Sequence, residues 1–198
     1  MLVFWKPRLV VLAVPKTGTT AIEHALGPLA ALPVTAPAAL KHTDARAWQR
    51  FLKPYLREVS GGEFSAVALM REPIDWLGSW YRHRQRDDIG AFAGATRGLS
   101  FADFVEGYLE VPRRGFADVG TQADFLRAES GAACGVDRLF RYEEIGGFVA
   151  YLEDLLGFAI ELPRVNVSPE GDSDLPEALR TRLQARLAAD YALYESIG

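Results

Sequence analysis

The sequence has little cysteine, since Cys134 is the single one among 198 residues. One cysteine excludes an internal disulfide and also a zinc site built from several cysteines. A chain without internal disulfides is typical of a reducing compartment, so we expect a cytoplasmic protein.

The sequence also lacks an excess of positive charge. Its 22 lysines and arginines are outnumbered by 26 aspartates and glutamates, which gives a net charge of -4 at pH 7. Without a global basic field we expect no nucleic-acid partner. The basic residues are concentrated in the first half of the chain and the acidic residues in the second. An anion site is therefore expected in the first half.

Long hydrophobic runs are absent as well. The longest run near the N-terminus, residues 9–14, is too short for a signal core or a membrane span, so we expect no membrane span. The composition, 49% hydrophobic and 24% charged, is that of a globular chain, and the length fits about one domain with an apolar core.

Short apolar runs alternate with amphipathic segments along the chain. The runs at 8–14, 64–70 and 136–141 predict buried strands. Helices are predicted to begin near residue 21 and to cover residues 43–59, 74–86, 143–156 and 175–196. This alternation predicts an α/β fold with a mainly parallel central sheet, in a P-loop-like three-layer α/β/α arrangement.

The helix predicted at 43–59 depends on one periodic pattern. Ala47, Phe51, Tyr55 and Val59 recur every four residues, opposite a basic face. This spacing predicts an amphipathic helix with these four side chains on its apolar side.

The turn after the first predicted strand has the composition of an anion site. Gly18 allows a tight turn, after which the N–H groups of Gly18, Thr19 and Thr20 point beyond the start of the next helix. Lys16 adds a full positive charge, and the hydroxyls of Thr17 and its neighbours add hydrogen-bond donors and acceptors. The turn therefore predicts a phosphate or sulfate ligand.

This turn differs from the phosphate loop of nucleotide kinases. The Walker pattern G-x-x-x-x-G-K-[ST] is not met, because Lys16 precedes Gly18. A kinase also needs a carboxylate for magnesium, usually at the end of a neighbouring strand. Arg71 follows the second predicted strand instead, so we expect a second anion-binding cation there and no metal.

A second group of polar residues follows that strand. Asp75, Ser79 and His83 are spaced by four and share one face of the predicted helix. Arg71 and Ser79 are suited to hold a second phosphate together. The alternative is an arginine paired with a carboxylate and an ordinary helix serine. Two anion sites at the carboxyl ends of two parallel strands favour one ligand with two separated phosphates.

Four segments, in order along nearly the whole chain, resemble the sulfotransferases that use 3′-phosphoadenosine 5′-phosphosulfate, the carbohydrate-type members in particular. V-P-K-T-G-T-T at 14–20 resembles their 5′-phosphosulfate loop, and R-E-P with S-W-Y at 71–81 resembles their 3′-phosphate motif. L-F-R-Y-E-E-I at 139–145 and L-P-R-V-N-V-S at 162–168 are similar to segments that these enzymes carry later in the chain.

The resemblance implies a single sulfotransferase-like domain over residues 1–198 and transfer of a sulfuryl group from 3′-phosphoadenosine 5′-phosphosulfate to an acceptor hydroxyl or amine. The acceptor is expected to be a small molecule or a saccharide, and no metal is required. Lys16 would lie at the bridging oxygen that gains charge as the bond breaks. The residues that would bind the sulfuryl donor are Lys16, Thr17, Gly18, Thr19 and Thr20 at its 5′ end and Arg71 and Ser79 at its 3′-phosphate.

A hydroxyl acceptor needs a base, which a histidine or a carboxylate can supply. His42 is our first candidate, because it follows a presumed strand and precedes the helix at residue 43, and because related enzymes commonly supply the base from this region. His83 is the alternative histidine, whereas His24 is expected at the surface of the first helix. Asp44 and Glu23 remain the carboxylate alternatives.

Two other functions stay open from the sequence. One is a nucleotide kinase or hydrolase with an atypical phosphate loop, which would need magnesium. The other is a non-catalytic nucleotide-binding module, because a fold alone does not fix a function.

The loops at 87–98 and 111–121 are expected to shape the acceptor cleft. Asp190, Tyr191 and Tyr194 of the terminal helix are expected to serve packing and solubility.

Overall fold

The computed structural model describes residues 1–86, 96–163 and 174–198. Within these residues five strands form one sheet in the order β3-β1-β2-β4-β5. The strands are β1 (Leu2–Phe4), β2 (Leu9–Leu12), β3 (Leu32–Pro33), β4 (Ser65–Met70) and β5 (Arg138–Arg141).

The sheet is mixed. Its strands β2, β4 and β5 are parallel neighbours, as predicted, whereas β1 is antiparallel to both β2 and β3. A four-residue turn joins β1 to β2, and so short a connection allows only antiparallel pairing, while the parallel strands are joined through helices. The α/β class is therefore confirmed, and the mainly parallel sheet is found as a mixed sheet with an antiparallel edge at β1 and β3.

Helices connect and flank these strands. The α-helices are α1 (Thr19–Leu26), α2 (Ala38–Lys41), α3 (Ala45–Ala47), α4 (Lys53–Ser60), α5 (Pro73–Arg84), α6 (Phe101–Leu109), α7 (Gln122–Leu126), α8 (Ile145–Leu156), α9 (Glu177–Arg186) and α10 (Ala188–Glu195). A π-helical segment, Trp48–Leu52, joins α3 to α4. Short 3₁₀ turns cover Gly27–Leu29, Gly115–Ala117 and Tyr142–Glu144.

Both faces of the sheet are buried, as the continuous apolar run of β2 predicts. Val10 and Leu12 point to one face, where residues of α3, α4, α7 and α10 cover them, and Leu9 and Val11 point to the other, under α1 and α8. A third apolar cluster joins α5, α6 and α9. Burying a leucine or valine side chain contributes roughly 1.5–3 kcal/mol, so these clusters stabilise the sheet that carries the site.

The apolar stripe used to predict the helix at 43–59 does not face the core. The segment is helical, but Phe51, Tyr55 and Val59 are 64%, 62% and 51% exposed, whereas Trp48 and Leu56 are buried. The sequence carries two neighbouring apolar stripes on this segment, and the one with the bulkier tryptophan packs against the sheet because it buries more apolar area.

Other predicted elements are found with shifted ends. The terminal helix is divided in two at Leu187, and Gly157, with a φ of 78°, ends α8 as predicted. The predicted loop at 87–98 and the segment at 162–168 lie largely outside the described residues. Among the helices described, none has the length and apolar character needed to cross a membrane.

Candidate active site

The loop between β2 and α1 has two residues in the left-handed region, Lys16 with a φ of 67° and Gly18 with a φ of 73°. Thr17, between them, is buried, and its hydroxyl donates to the carbonyl oxygen of Val14 at 2.8 Å. Thr17 was predicted to bind an anion, but its side chain turns to the protein interior. The Thr17 hydrogen bond to Val14 therefore stabilises the conformation of the loop.

Gly18 is required for two reasons. Its φ is unfavourable for any side chain, and a Cβ atom there would lie 3.0 Å from Cε2 of Tyr142. No side chain caps the start of α1, which begins at Thr19. The first N–H groups of the helix therefore point toward the space in front of it, where an anion is favoured.

Two hydrogen bonds tie this loop to Arg71, after β4, and to Trp76 in α5. The indole N–H of Trp76 donates to the carbonyl oxygen of Pro15 at 2.8 Å, and Nη1 of Arg71 donates to that of Lys16 at 3.3 Å. A left-handed backbone costs roughly 1–2 kcal/mol for a residue with a side chain, so Lys16 is strained. These bonds hold the strained conformation in place.

Arg71 follows β4, and several contacts hold its side chain in place. Its Nε donates to Oδ2 of Asp75 at 2.5 Å, and its guanidinium lies 4.7 Å from the ring centroid of Tyr142. The bonds to Asp75 and Lys16 engage two of its five N–H donors. The side chain is thus held in one orientation with N–H donors left for an anion. Ser79, two turns along α5, is buried and lines the same cleft.

The cleft in front of α1 has a volume of about 370 Å³. Its described lining residues are Pro15, Lys16, Gly18, Thr19, Thr20, Ala21, Lys41, His42, Arg71, Ser79, Trp80, Arg82, His83 and Tyr142. Of the residues predicted to bind the sulfuryl donor, all but Thr17 are brought together here, with both His42 and His83, whereas the carboxylate alternatives Asp44 and Glu23 are not among the described lining residues.

The lining is positively charged. Lys16, Lys41, Arg71 and Arg82 face the cleft, and no carboxylate is among its described lining residues. This contrasts with the net charge of -4 for the whole chain. Such a surface attracts anions and focuses their field in a concave space.

The compensating carboxylates stand outside that lining. Glu23 pairs with Lys41 at 2.8 Å, and Asp75 pairs with both Arg71 and Arg82. Over the described ranges, no group of three or more His, Cys, Asp or Glu side chains is arranged to hold a metal ion.

Of the four cations that line the cleft, Lys16 has no carboxylate of the described residues within ion-pair distance, whereas Lys41, Arg71 and Arg82 do. Its Nζ lies 5.6 Å from the ring centroid of Trp80. Burial, and then the positive charges of Arg71, Arg86 and Arg82, lower the pKa of Lys16 to about 8. The ammonium is thus poorly solvated and is stabilised when an anion binds beside it.

His42 follows the one-turn helix α2, not the expected strand. The nearest strand before it, β3, is a two-residue edge strand, and residues 38–41 form a helical turn instead. His42 nevertheless lies at the rim of the sheet, as expected. Its Nδ1 is 2.7 Å from the carbonyl oxygen of Ala13, which directly follows β2.

That contact fixes the tautomer of His42. A carbonyl oxygen only accepts, so Nδ1 carries the proton and the lone pair is on Nε2. Burial, with a smaller contribution from the charge of Lys41, lowers the pKa of His42 below its usual 6.5, against the opposing effect of the Ala13 hydrogen bond. A neutral imidazole with a free lone pair can accept a proton at neutral pH.

The other base candidates are placed differently. His83 lines the cleft with its ring 5.8 Å from that of Trp80, whereas His24 is exposed on α1. Asp44 caps α3 by accepting the N–H of Ala47 at 2.7 Å, and Glu23 is engaged by a lysine. Both carboxylate alternatives therefore have structural roles.

The predicted acceptor loop at 111–121 contributes no residue to the described lining of the cleft. Arg84 of α5 donates to the carbonyl oxygens of Gly115 and Asp118, at 2.7 and 3.1 Å. These bonds fasten the loop to the last residue of α5.

The terminal helix α10 contacts residues next to the site, in addition to the packing role expected for it. The hydroxyl of Tyr191 donates to Glu72 at 2.7 Å, next to Arg71, and the hydroxyl of Tyr194 donates to Glu143 at 2.9 Å. The backbone N–H of Glu72 also donates to Glu143. No local pattern in the sequence indicates these contacts, because the partners are far apart along the chain.

None of the protein-family models, curated proteins or solved structures compared with this chain matches it.

Proposed function

We propose that this protein is a sulfotransferase with a P-loop-like three-layer domain, which uses 3′-phosphoadenosine 5′-phosphosulfate and a hydroxyl or amine acceptor. The observation that carries the proposal is that Lys16, the start of α1, Arg71 and Ser79 line one cationic cleft without a described carboxylate. Two anion-binding points on two parallel strands suit a ligand that bears separated phosphates.

The residues present fit this sulfuryl donor. The N–H groups at Gly18, Thr19 and Thr20 would hold the 5′-phosphosulfate, since a helix start favours an anion and the positive φ of Gly18 allows the turn that leads into it. The remaining N–H donors of Arg71 and the hydroxyl of Ser79 would hold the 3′-phosphate.

The reaction needs one proton transfer and one charge to be stabilised. The acceptor oxygen forms a bond to sulfur while the bond from sulfur to the bridging phosphate oxygen breaks, with adenosine 3′,5′-bisphosphate as the leaving group. Nε2 of His42 takes the acceptor proton, and the ammonium of Lys16 stabilises the charge on the leaving oxygen. The rate then depends on alignment and charge, as in phosphoryl transfer.

The acceptor is proposed to be a small molecule or a saccharide, and the protein to act in the cytoplasm. Support for the compartment comes from the single cysteine, and for the acceptor class from the resemblance to carbohydrate-type enzymes.

Thermal unfolding with two nucleotides and a ligand-free control tests the proposal. Adenosine 3′,5′-bisphosphate without metal is expected to raise the melting temperature, because a ligand at 100 times its Kd stabilises the folded state by about 2.7 kcal/mol. Magnesium-ATP is expected to raise the melting temperature less. Stabilisation by magnesium-ATP alone would favour a kinase or hydrolase. No response to either nucleotide would overturn nucleotide binding altogether.

Two variants refine this test. Arg71→Ala is expected to weaken binding of adenosine 3′,5′-bisphosphate roughly 10- to 100-fold in calorimetry, the range for lost charge-assisted hydrogen bonds. Arg114→Ala is the matched control, since Arg114 is exposed and paired with Glu110. Lys16→Ala separates an enzyme from a binding module. In an enzyme this variant lowers the rate at which adenosine 3′,5′-bisphosphate is released from the sulfuryl donor, whereas in a binding module there is no such rate to lower.

A further inference from the structure

Gln122, the first residue of α7, is fully buried, and its side chain spans the backbone of Arg71. Its Oε1 accepts the N–H of Arg71 at 2.9 Å, and its Nε2 donates to the carbonyl oxygen of Arg71 at 2.8 Å. Both ends of one side-chain amide therefore bind both backbone polar groups of one residue, 51 positions away in sequence.

Arg71 needs such a partner because the sheet ends before it. The pairing of β4 with β2 ends at Ala68, and the pairing with β5 ends at Met70. The next residue has no neighbouring strand, and buried backbone groups without partners are costly. The amide of Gln122 takes the place of a strand at this point.

Gln122 is itself fixed from α10. A single carboxylate oxygen of the buried Asp190 accepts the backbone N–H groups of Gln122 at 2.9 Å and of Ala123 at 3.3 Å. These are the first N–H groups of α7, which have no partner within the helix. Asp190 thus anchors the start of α7 and with it the amide that holds Arg71.

We propose that Gln122 is a positioning residue, which sets the backbone of Arg71 so that its guanidinium meets the 3′-phosphate of the nucleotide. The inference rests on the proposed function. It makes a prediction that a purely structural role does not, since the loss of Gln122 weakens the part of the affinity that comes from the 3′-phosphate and leaves the rest.

Calorimetry with two nucleotides measures that part. Adenosine 3′,5′-bisphosphate carries the 3′-phosphate and adenosine 5′-phosphate lacks it. The Kd of adenosine 5′-phosphate divided by the Kd of adenosine 3′,5′-bisphosphate therefore measures the contribution of the 3′-phosphate. Gln122→Met is expected to lower this ratio about tenfold, the size of a lost well-aligned contact to a charged group, while adenosine 5′-phosphate binds within about twofold of the wild type.

Gln49 provides a matched control. Its amide makes the same two kinds of hydrogen bond, to the carbonyl oxygen of Gly135 at 2.9 Å and from the N–H of Glu129 at 2.8 Å, and Gln49 is not among the described residues that line the cleft. Gln49→Met is expected to lower the melting temperature without changing the ratio. Gln122→Asn, which keeps an amide but withdraws it by one methylene, provides a second variant if Gln122→Met does not fold.

The two proposals fail in different ways. An unchanged ratio in the Gln122 variants, with a wild type that prefers the 3′-phosphorylated nucleotide, would overturn the positioning role alone. An equal loss for both nucleotides would show a structural role and also overturn it. A wild type that binds both nucleotides equally would overturn the proposed function, and this inference with it.

Discussion

The imidazole of His42 and the carbonyl oxygen of Ala13 lie 2.7 Å apart, which joins the proposed base to the end of β2. Lys16 lies three residues further along the same loop. The proposed base and the proposed cation are therefore fixed to the same strand end. Preorganisation of this kind lowers the cost of aligning the reacting groups.

Replacement of His42 by alanine is expected to lower turnover by about 10²-fold or more, the usual scale for a lost general base. Release of adenosine 3′,5′-bisphosphate, with a panel of saccharide and other hydroxyl acceptors, measures it. His83→Ala, which alters the same cleft, is the control and should retain most of the rate. A crippled His83→Ala beside an active His42→Ala would reverse the assignment.

The value of kcat/KM should fall at both acidic and alkaline pH. His42 must be neutral to accept a proton, and burial lowers its pKa, so kcat/KM should fall only below pH 6.5. Lys16 must be charged, and its pKa of about 8 predicts a second fall near pH 8. Since kcat/KM reports the free protein, it is the quantity to measure. His42→Ala should lose the acidic limb and keep the alkaline one.

The strained backbone of Lys16 can be measured apart from its charge. Lys16→Gly and Lys16→Ala both remove the ammonium, but only glycine relieves the positive φ of 67°. We expect Lys16→Gly to be more stable than Lys16→Ala by roughly 0.5–1 kcal/mol, after the added freedom of the unfolded chain is allowed for. Denaturant unfolding of the pair decides it, and equal stabilities would contradict strain at this position.

Gly18 and Gly61 form a matched pair. Both have positive φ values, 73° and 67°, but a Cβ at Gly18 would meet Tyr142 whereas a Cβ at Gly61 would meet nothing within 4 Å. Each alanine variant should lose about 1 kcal/mol of stability from the backbone alone. Only Gly18→Ala should also weaken binding of adenosine 3′,5′-bisphosphate. Similar affinities in the two variants would argue against an anion at the start of α1.

Asp190 predicts a pH-dependent contribution to stability. Burial raises its pKa to about 6 in the folded protein, against 3.8 for an unperturbed aspartate. The folded state then binds more protons between these values, so the free energy of unfolding falls as the pH rises from about 4 to 6. The effect is on the order of 2–3 kcal/mol at 1.36 kcal/mol per pKa unit.

Asp190→Asn keeps an oxygen acceptor for the N–H of Gln122 and removes the titration. Denaturant unfolding of both proteins across this pH range should show a difference in stability that changes with pH. A constant difference would mean that Asp190 does not titrate there.

Local patterns predicted much of the fold. The continuous apolar run at 9–14 predicted a buried strand, and the glycine-containing turn after it predicted an exposed helix start, because both depend on neighbouring residues. Between two apolar stripes on one helix, however, local spacing did not choose: Phe51 and Tyr55 face solvent, while Trp48 packs against the sheet. Strand β1 was missed because three residues carry too little periodicity.

By itself, the sequence determined the α/β class and the residues of the two motifs predicted to bind anions, since strand, turn and helix-start signals are local. The tertiary structure decided which of these side chains meet. It turned Thr17 inward, brought His42 to Ala13 after a helical turn, and placed Gln122 across Arg71. Such contacts join residues far apart in the chain, and they form only when packing against the sheet outweighs the entropy lost in closing the loops between them.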